Sequence, residues 1–142
     1  MNEIGERLRK IGGEYGATTG RPRRCGWFDL PALKYSIRIN GIQKLVITKL
    51  DVLDDFDEIL VCTGYQKDGI ALKHFPTDAQ TLEKVQLIYK SFYGWKEKIS
   101  DVKRYKDLPI RARKYIDAIS RLAGIPVWLV SVGARRGQTL KT

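Results

Sequence analysis

Leu45-Val46-Ile47-Thr48-Lys49-Leu50-Asp51 is a short apolar run that ends in a polar motif. Three aliphatic residues, two of them β-branched, suit a buried strand. Thr48–Asp51 is therefore expected at or just past the carboxyl end of that strand. The same arrangement recurs near the C-terminus, where Val127-Trp128-Leu129-Val130 runs straight into Ser131-Val132-Gly133. Helix-like segments lie between the two. Strands that each end in a polar motif, with helices between them, predict an α/β fold. Ligands of such sheets bind beyond the carboxyl ends of the strands. Thr48–Asp51 and Ser131–Gly133 are thus expected to open onto one crevice.

Working outward, residues 2–11 place Ile4, Leu8 and Ile11 at helical spacing and read as the end of a helix. Asp29 can cap a following helix that carries Pro31 in its first turn and buries Leu30, Leu33 and Ile37, with Asn40-Gly41 as its stop. The first strong strand is contained within residues 44–53. Asp54, Asp55 and Asp57 form an acidic connection. Residues 58–66 are β-prone, Lys67-Asp68-Gly69 is a turn, and residues 70–74 are expected to return as the hairpin partner. Residues 85–92 fit a strand by their β-branched and aromatic content. Asp107-Leu108-Pro109 is expected to start a helix that Gly124 ends. The tail, residues 134–142, is polar and basic and is expected to be loosely held.

Between the first helix and Asp29 lies Gly12–Trp27, GGEYGATTGRPRRCGW. Glycines let backbone and ligand approach closely, threonines offer hydroxyls, and three arginines offer planar forks suited to carboxylates and phosphates. Pro22 fixes φ between two of those arginines. The composition describes either an anion-binding loop or a solvated turn. Cys25 and Cys62 do not make a disulfide framework, and Cys25 has no histidine nearby in sequence to make it a nucleophile.

The 142 residues suit one domain. No apolar run approaches the roughly 20 residues that span a bilayer. The N-terminus lacks an apolar signal-peptide core, so the cytoplasm is the expected compartment. The net charge of +10 gathers at the two ends. Residues 95–142 hold twelve basic and four acidic groups, whereas residues 43–94 hold six basic and eight acidic ones. Nucleotides, nucleic acid or the loss of an acidic half would each account for such a bias. No nucleic-acid motif accompanies it, and aromatics are not interleaved with the basic runs.

In this order, GATTGRPRRCGW, TKLD and S-x-G resemble adenylosuccinate synthetase, a purine-biosynthetic ligase. Gly94-Trp95, Asp107-Leu108-Pro109, Ala112-Arg113-Lys114-Tyr115-Ile116 and Gly124-Ile125-Pro126 agree with it. The resemblance runs almost end to end, but only to the C-terminal portion of that enzyme. It implies one region within a three-layer nucleoside-triphosphate-binding α/β fold with a mixed sheet and a β-hairpin. Residues 1–11 are then a helix end, 12–27 a substrate loop and 28–142 a guanine-binding α/β region. It implies that Ala17, Thr18, Thr19, Gly20, Arg21, Pro22 and Arg23 close over L-aspartate. Arg21 also reaches inosine monophosphate (IMP), and Arg23 contacts GTP. Lys49, Leu50, Asp51, Ser131, Val132 and Gly133 would contact guanine; Arg24 receives no role.

The spacing within the guanine motif has a chemical reason. One carboxylate can accept both the ring N–H and the exocyclic amine of guanine, which adenine cannot match. The lysine stem can lie along the base while its head stays wet. The family reaction phosphorylates O6 of IMP with GTP, and aspartate then displaces the phosphate. Its phosphate loop, catalytic aspartate, histidine acid and Mg2+ ligands belong to the N-terminal part, which would have to be supplied. No catalytic residue and no metal ligand are expected in this chain. His74, the one histidine, is expected in the hairpin strand, structural or solvent-exposed and not catalytic. The resemblance also implies a homodimer for the complete enzyme. The alternative is a stand-alone guanine-nucleotide-binding module without catalysis.

Overall fold

The computed structural model describes residues 3–142. Of the helix end expected over residues 2–11, Asn2 falls outside the described residues. Helix α1 (Glu3–Gly12) buries Leu8, but Ile11 is exposed, so the inward stripe is shorter than its spacing suggested. Strand β1 (Phe28–Asp29) leads into helix α2 (Leu30–Asn40). Asp29 Oδ1 accepts the Ala32 N–H at 3.0 Å, satisfying one of the open donors of the first turn. Gly41 ends the helix in the left-handed region at φ 62°, a conformation that favours glycine.

Strand β2 is only Leu45–Ile47. A 3-10 turn over Leu50–Leu53 follows it. Strand β3 (Glu58–Lys67) turns into the two-residue β4 (Ile70–Ala71), and helix α3 (Ala79–Lys84) precedes strand β5 (Gln86–Tyr93). The expected hairpin over residues 70–74 stops at Ala71. The main antiparallel partner of β3 is β5, paired from Glu58↔Tyr93 to Gln66↔Gln86. His74 accordingly lies exposed in the connection after β4 and not in a strand.

Helix α4 (Ile110–Ala123) begins after Pro109. Asp107 is not its cap. It sits in the preceding 3-10 turn, where its carboxylate accepts from Arg104 Nε at 2.6 Å. Strand β6 (Val127–Ser131) is followed by β7 (Thr139–Lys141). The tail is thus held, against expectation. Strand β7 pairs antiparallel with β6, Leu140 is 2 % exposed, and Thr142 Oγ1 donates to the Val127 carbonyl at 2.7 Å. A segment with one buried aliphatic residue carries little periodic signal; backbone pairing holds it.

The architecture is α/β with two mixed sheets. In one, β1 pairs parallel with β3, which pairs antiparallel with β4 and β5. In the other, β2 pairs parallel with β6, and β6 pairs antiparallel with β7. Helix α4 contributes Ala112, Tyr115, Ile116 and Ile119 to the core shared with Ile59, Val61, Val130 and Val132. No described helix is long and apolar enough to cross a membrane.

Candidate functional site

The parallel pairing of β2 with β6 aligns Ile47 with Val130. Both strands therefore release their polar motifs at the same edge. A direct bond joins them: the Lys49 N–H donates to Ser131 Oγ at 2.7 Å. Lys49 is left-handed at φ 55° and ψ 47°, an unusual state for a residue with a Cβ, and it turns the chain from strand into 3-10 turn. Leu50 is buried in the core by that turn, as is Val132 in the opposite motif. Asp51 follows, and its Oδ1 is buried without a hydrogen-bond partner among the described residues. Burying a carboxylate oxygen without a donor is costly, so this atom is short of a partner.

In the second motif, the Val132 N–H donates to the Gln138 carbonyl at 2.8 Å. The close approach of Gln138 explains Gly133, since a Cβ there would fall 2.3 Å from the Gln138 side-chain oxygen. That side chain is itself anchored, accepting from the Arg135 N–H at 2.8 Å and donating to the Ser100 carbonyl at 2.9 Å.

Residues 12–27 form a narrow hairpin. Tyr15 and Pro22 are bridged antiparallel, the Arg23 N–H donates to the Glu14 carbonyl at 3.0 Å, and the Gly16 N–H donates to the Arg21 carbonyl at 2.8 Å. The reversal is completed by Gly20 at φ 64°. Ala17, Thr18, Thr19, Gly20, Arg21, Pro22, Arg23 and Arg24 are all exposed along it. Thr19 Oγ1 accepts from the Arg21 N–H at 3.3 Å, so one of the two hydroxyls shapes the tip.

The residue that sequence reasoning missed is Glu14. Its Oε2 accepts from Arg23 Nη1 at 2.7 Å, and its Oε1 accepts from Lys49 Nζ at 3.1 Å. Lys49 Nζ also donates to the Gly12 carbonyl. The lysine head is therefore engaged and not wet as expected. Hydrogen bonds from Lys49, then from Arg23, hold the Glu14 carboxyl below its ordinary range. The signal that could have found it is local: Glu14 is the only carboxylate in a loop with three arginines. Beneath this clasp a cavity of about 270 Å³ is lined by Glu14, Trp27, Phe28, Ile47, Lys49 and Tyr115, among others.

Asp54, expected in an acidic connection, is instead buried. Its carboxylate accepts from Trp95 Nε1 at 2.7 Å and from the Ile99 N–H at 3.1 Å. Burial raises its pKa despite both donors. It braces the 3-10 turn that carries Asp51.

A family model described as adenylosuccinate synthetase matches residues 1–140. The chain belongs to that family. The adenylosuccinate synthetase of Trichlorobacter lovleyi is 50 % identical over 140 residues, which cover 99 % of this chain and 33 % of that protein. That of Pelobacter propionicus is 51 % identical over 136 residues, covering 96 % of this chain and 32 % of its own length. The chain spans about a third of the length of these curated relatives. The structure of a fully ligated adenylosuccinate synthetase from Plasmodium falciparum superposes with a TM-score of 0.95 at 40 % identity, covering 99 % of this chain and 34 % of that one. Among the described residues no group of three or more His, Cys, Asp or Glu is placed to hold a metal ion.

Proposed function

We propose that this chain is the guanine-reading and aspartate-holding part of an adenylosuccinate synthetase, which converts IMP, L-aspartate and GTP to adenylosuccinate, GDP and phosphate. The observation that carries the reading is Asp51, whose buried Oδ1 has no donor among the described residues. Guanine supplies one. Its ring N–H and exocyclic amine would meet the two carboxylate oxygens, and no pair of adjacent donors exists on adenine. Gly133 is the member of the opposite motif whose N–H can meet the guanine O6, because the Val132 N–H is spent on Gln138. The Lys49 stem would lie on the base while its ammonium stays tied to the loop.

On the other side of Glu14, the loop would present the Ala17–Gly20 backbone and the Thr18 and Thr19 hydroxyls to the aspartate carboxylates. Arg21 would bridge aspartate and IMP, and Arg23 would reach the GTP phosphates. The remaining two thirds of the relatives' length would supply the phosphate loop, the acid and base, and the Mg2+ ligands. The complete enzyme would be a cytoplasmic homodimer.

Calorimetric titration with GTP and ATP tests the guanine reading. Asp51→Ala is expected to weaken GTP binding by about 1–3 kcal/mol and to leave ATP unaffected. Equal GTP affinity in variant and parent removes the assignment. In a complete enzyme carrying this sequence, Arg21→Leu is expected to raise the KM for aspartate through loss of a charge-assisted bond worth about 1.5–3 kcal/mol. An unchanged KM together with unchanged turnover would refute that role.

A further inference from the structure

Away from the clasp, a second concavity of about 320 Å³ lies between α2 and the connection that follows β4. It shares no lining residue with the cavity beneath Glu14. Lys34 and Arg38, one helical turn apart on α2, form one rim; Lys73 and His74 form the other. Thr63 of β3 also lines it. The two rims are tied together by a stacked pair, Tyr35 against Phe75, with ring centroids 5.0 Å apart and planes inclined by 27°. Phe75 also meets Tyr65 of β3 at 6.0 Å.

No carboxylate among the described residues lines this space. The acid nearest in sequence to that end of α2, Asp29, is already engaged: it accepts from the Ala32 N–H and from the Tyr65 hydroxyl. The ion pairs among the described residues use Arg23, Lys49, Lys96 and Arg104, and none of the four basic side chains here. Among the described residues Arg38 meets the Tyr35 ring, 5.9 Å away, and no carboxylate. A generally basic composition does not account for the cluster, since Lys73 and His74 come from residues 43–94, where acids outnumber bases. Basic side chains converging on one concavity without a counter-charge repel one another, and an anion between them reverses that sign.

We propose that this concavity is an anion site for the phosphate group of a small molecule. The guanidinium fork of Arg38 and the ammonium groups of Lys34 and Lys73 supply charge-assisted donors, and Thr63 and His74 supply further hydrogen-bonding groups. The volume lies at the lower end of the roughly 300–1,000 Å³ usual for small-molecule sites. It suits a phosphomonoester or a diphosphate.

His74 is the only histidine, so its ring carbon protons give a single NMR signature at the rim. The intact chain is titrated with inorganic pyrophosphate and, separately, with AMP. The proposal expects a saturable displacement of the His74 signals with at least one of them. Pyrophosphate alone would assign the site to free diphosphate, and AMP as well to phosphomonoesters. Arg38→Gln and Lys73→Gln, both at exposed positions, are each expected to weaken the response about tenfold. Arg23→Leu, in the clasp, is expected to leave it intact. Displacement by neither ligand, or displacement that survives both rim variants, overturns the site. So does displacement lost only in Arg23→Leu, which would trace the signal to the other cavity.

Discussion

At the scale of single residues, the site depends on atoms whose neighbours come from distant parts of the chain. Lys49 and Asp51 were singled out by the family resemblance of their motif, and their spacing gives a chemical reason for the guanine contact proposed above. Glu14 was not, because its meaning lies in Arg23 and Lys49 reaching it from opposite sides. Its depressed pKa gives the clasp a pH dependence. A carboxyl held below its ordinary 4.5 in the folded state contributes stability that is fully present above that value. The contribution is lost as pH falls through the lowered folded value. Amide exchange of residues 14–23 is therefore expected to be constant from neutral pH down to about 4.5, beyond the intrinsic pH dependence of exchange, and to lose protection below it. Glu14→Gln should remove that acid transition, whereas a transition of the same shape in the variant would show that another group controls the loop.

At the scale of elements, the boundaries set by side-chain chemistry were legible. Asp29 caps α2 and Gly41 ends it, because a carboxylate before a proline-containing first turn and a glycine after the last turn act locally. Strand β7 was missed because backbone pairing with β6 holds it while Leu140 alone enters the core. Leu140→Ala is expected to lower stability by about 2–5 kcal/mol, as for other buried leucines. Urea denaturation measures this, and a loss under about 0.5 kcal/mol, the range of an exposed site, would return the tail to the solvent. Gly94 offers a sharper contrast. A Cβ there would fall 1.7 Å from the Phe56 carbonyl oxygen, and the Gly94 N–H donates to the Asp57 carbonyl at 2.8 Å. Because the obstacle is backbone, Gly94→Ala is expected to cost at least the roughly 1–3 kcal/mol of an overpacked core. The same denaturation series would expose an error if the variant matched the parent.

At the scale of the whole molecule, the chain spans about a third of the length of the curated relatives it matches. Phosphoryl transfer relies on positioning and charge neutralisation around the moving phosphate. The described residues hold no metal cluster for it. Binding that does not favour the transition state does not accelerate chemistry. The purified chain given GTP, IMP, aspartate and Mg2+ is therefore expected to produce no adenylosuccinate; sustained turnover would mean that these residues do more than hold substrates. The α/β class, the strand end at Ile47 and the family were legible in the sequence, because aliphatic runs, caps and a long glycine–threonine–arginine motif act through near neighbours. The tertiary structure alone shows that Lys49 hangs on Ser131, that Glu14 joins the loop to Lys49, that Asp54 is buried beside Trp95, and that the tail closes a sheet. Those contacts join residues 35 or more positions apart in three of the four cases, and in the fourth rest on backbone pairing. Neither leaves a period or a composition for the sequence to display.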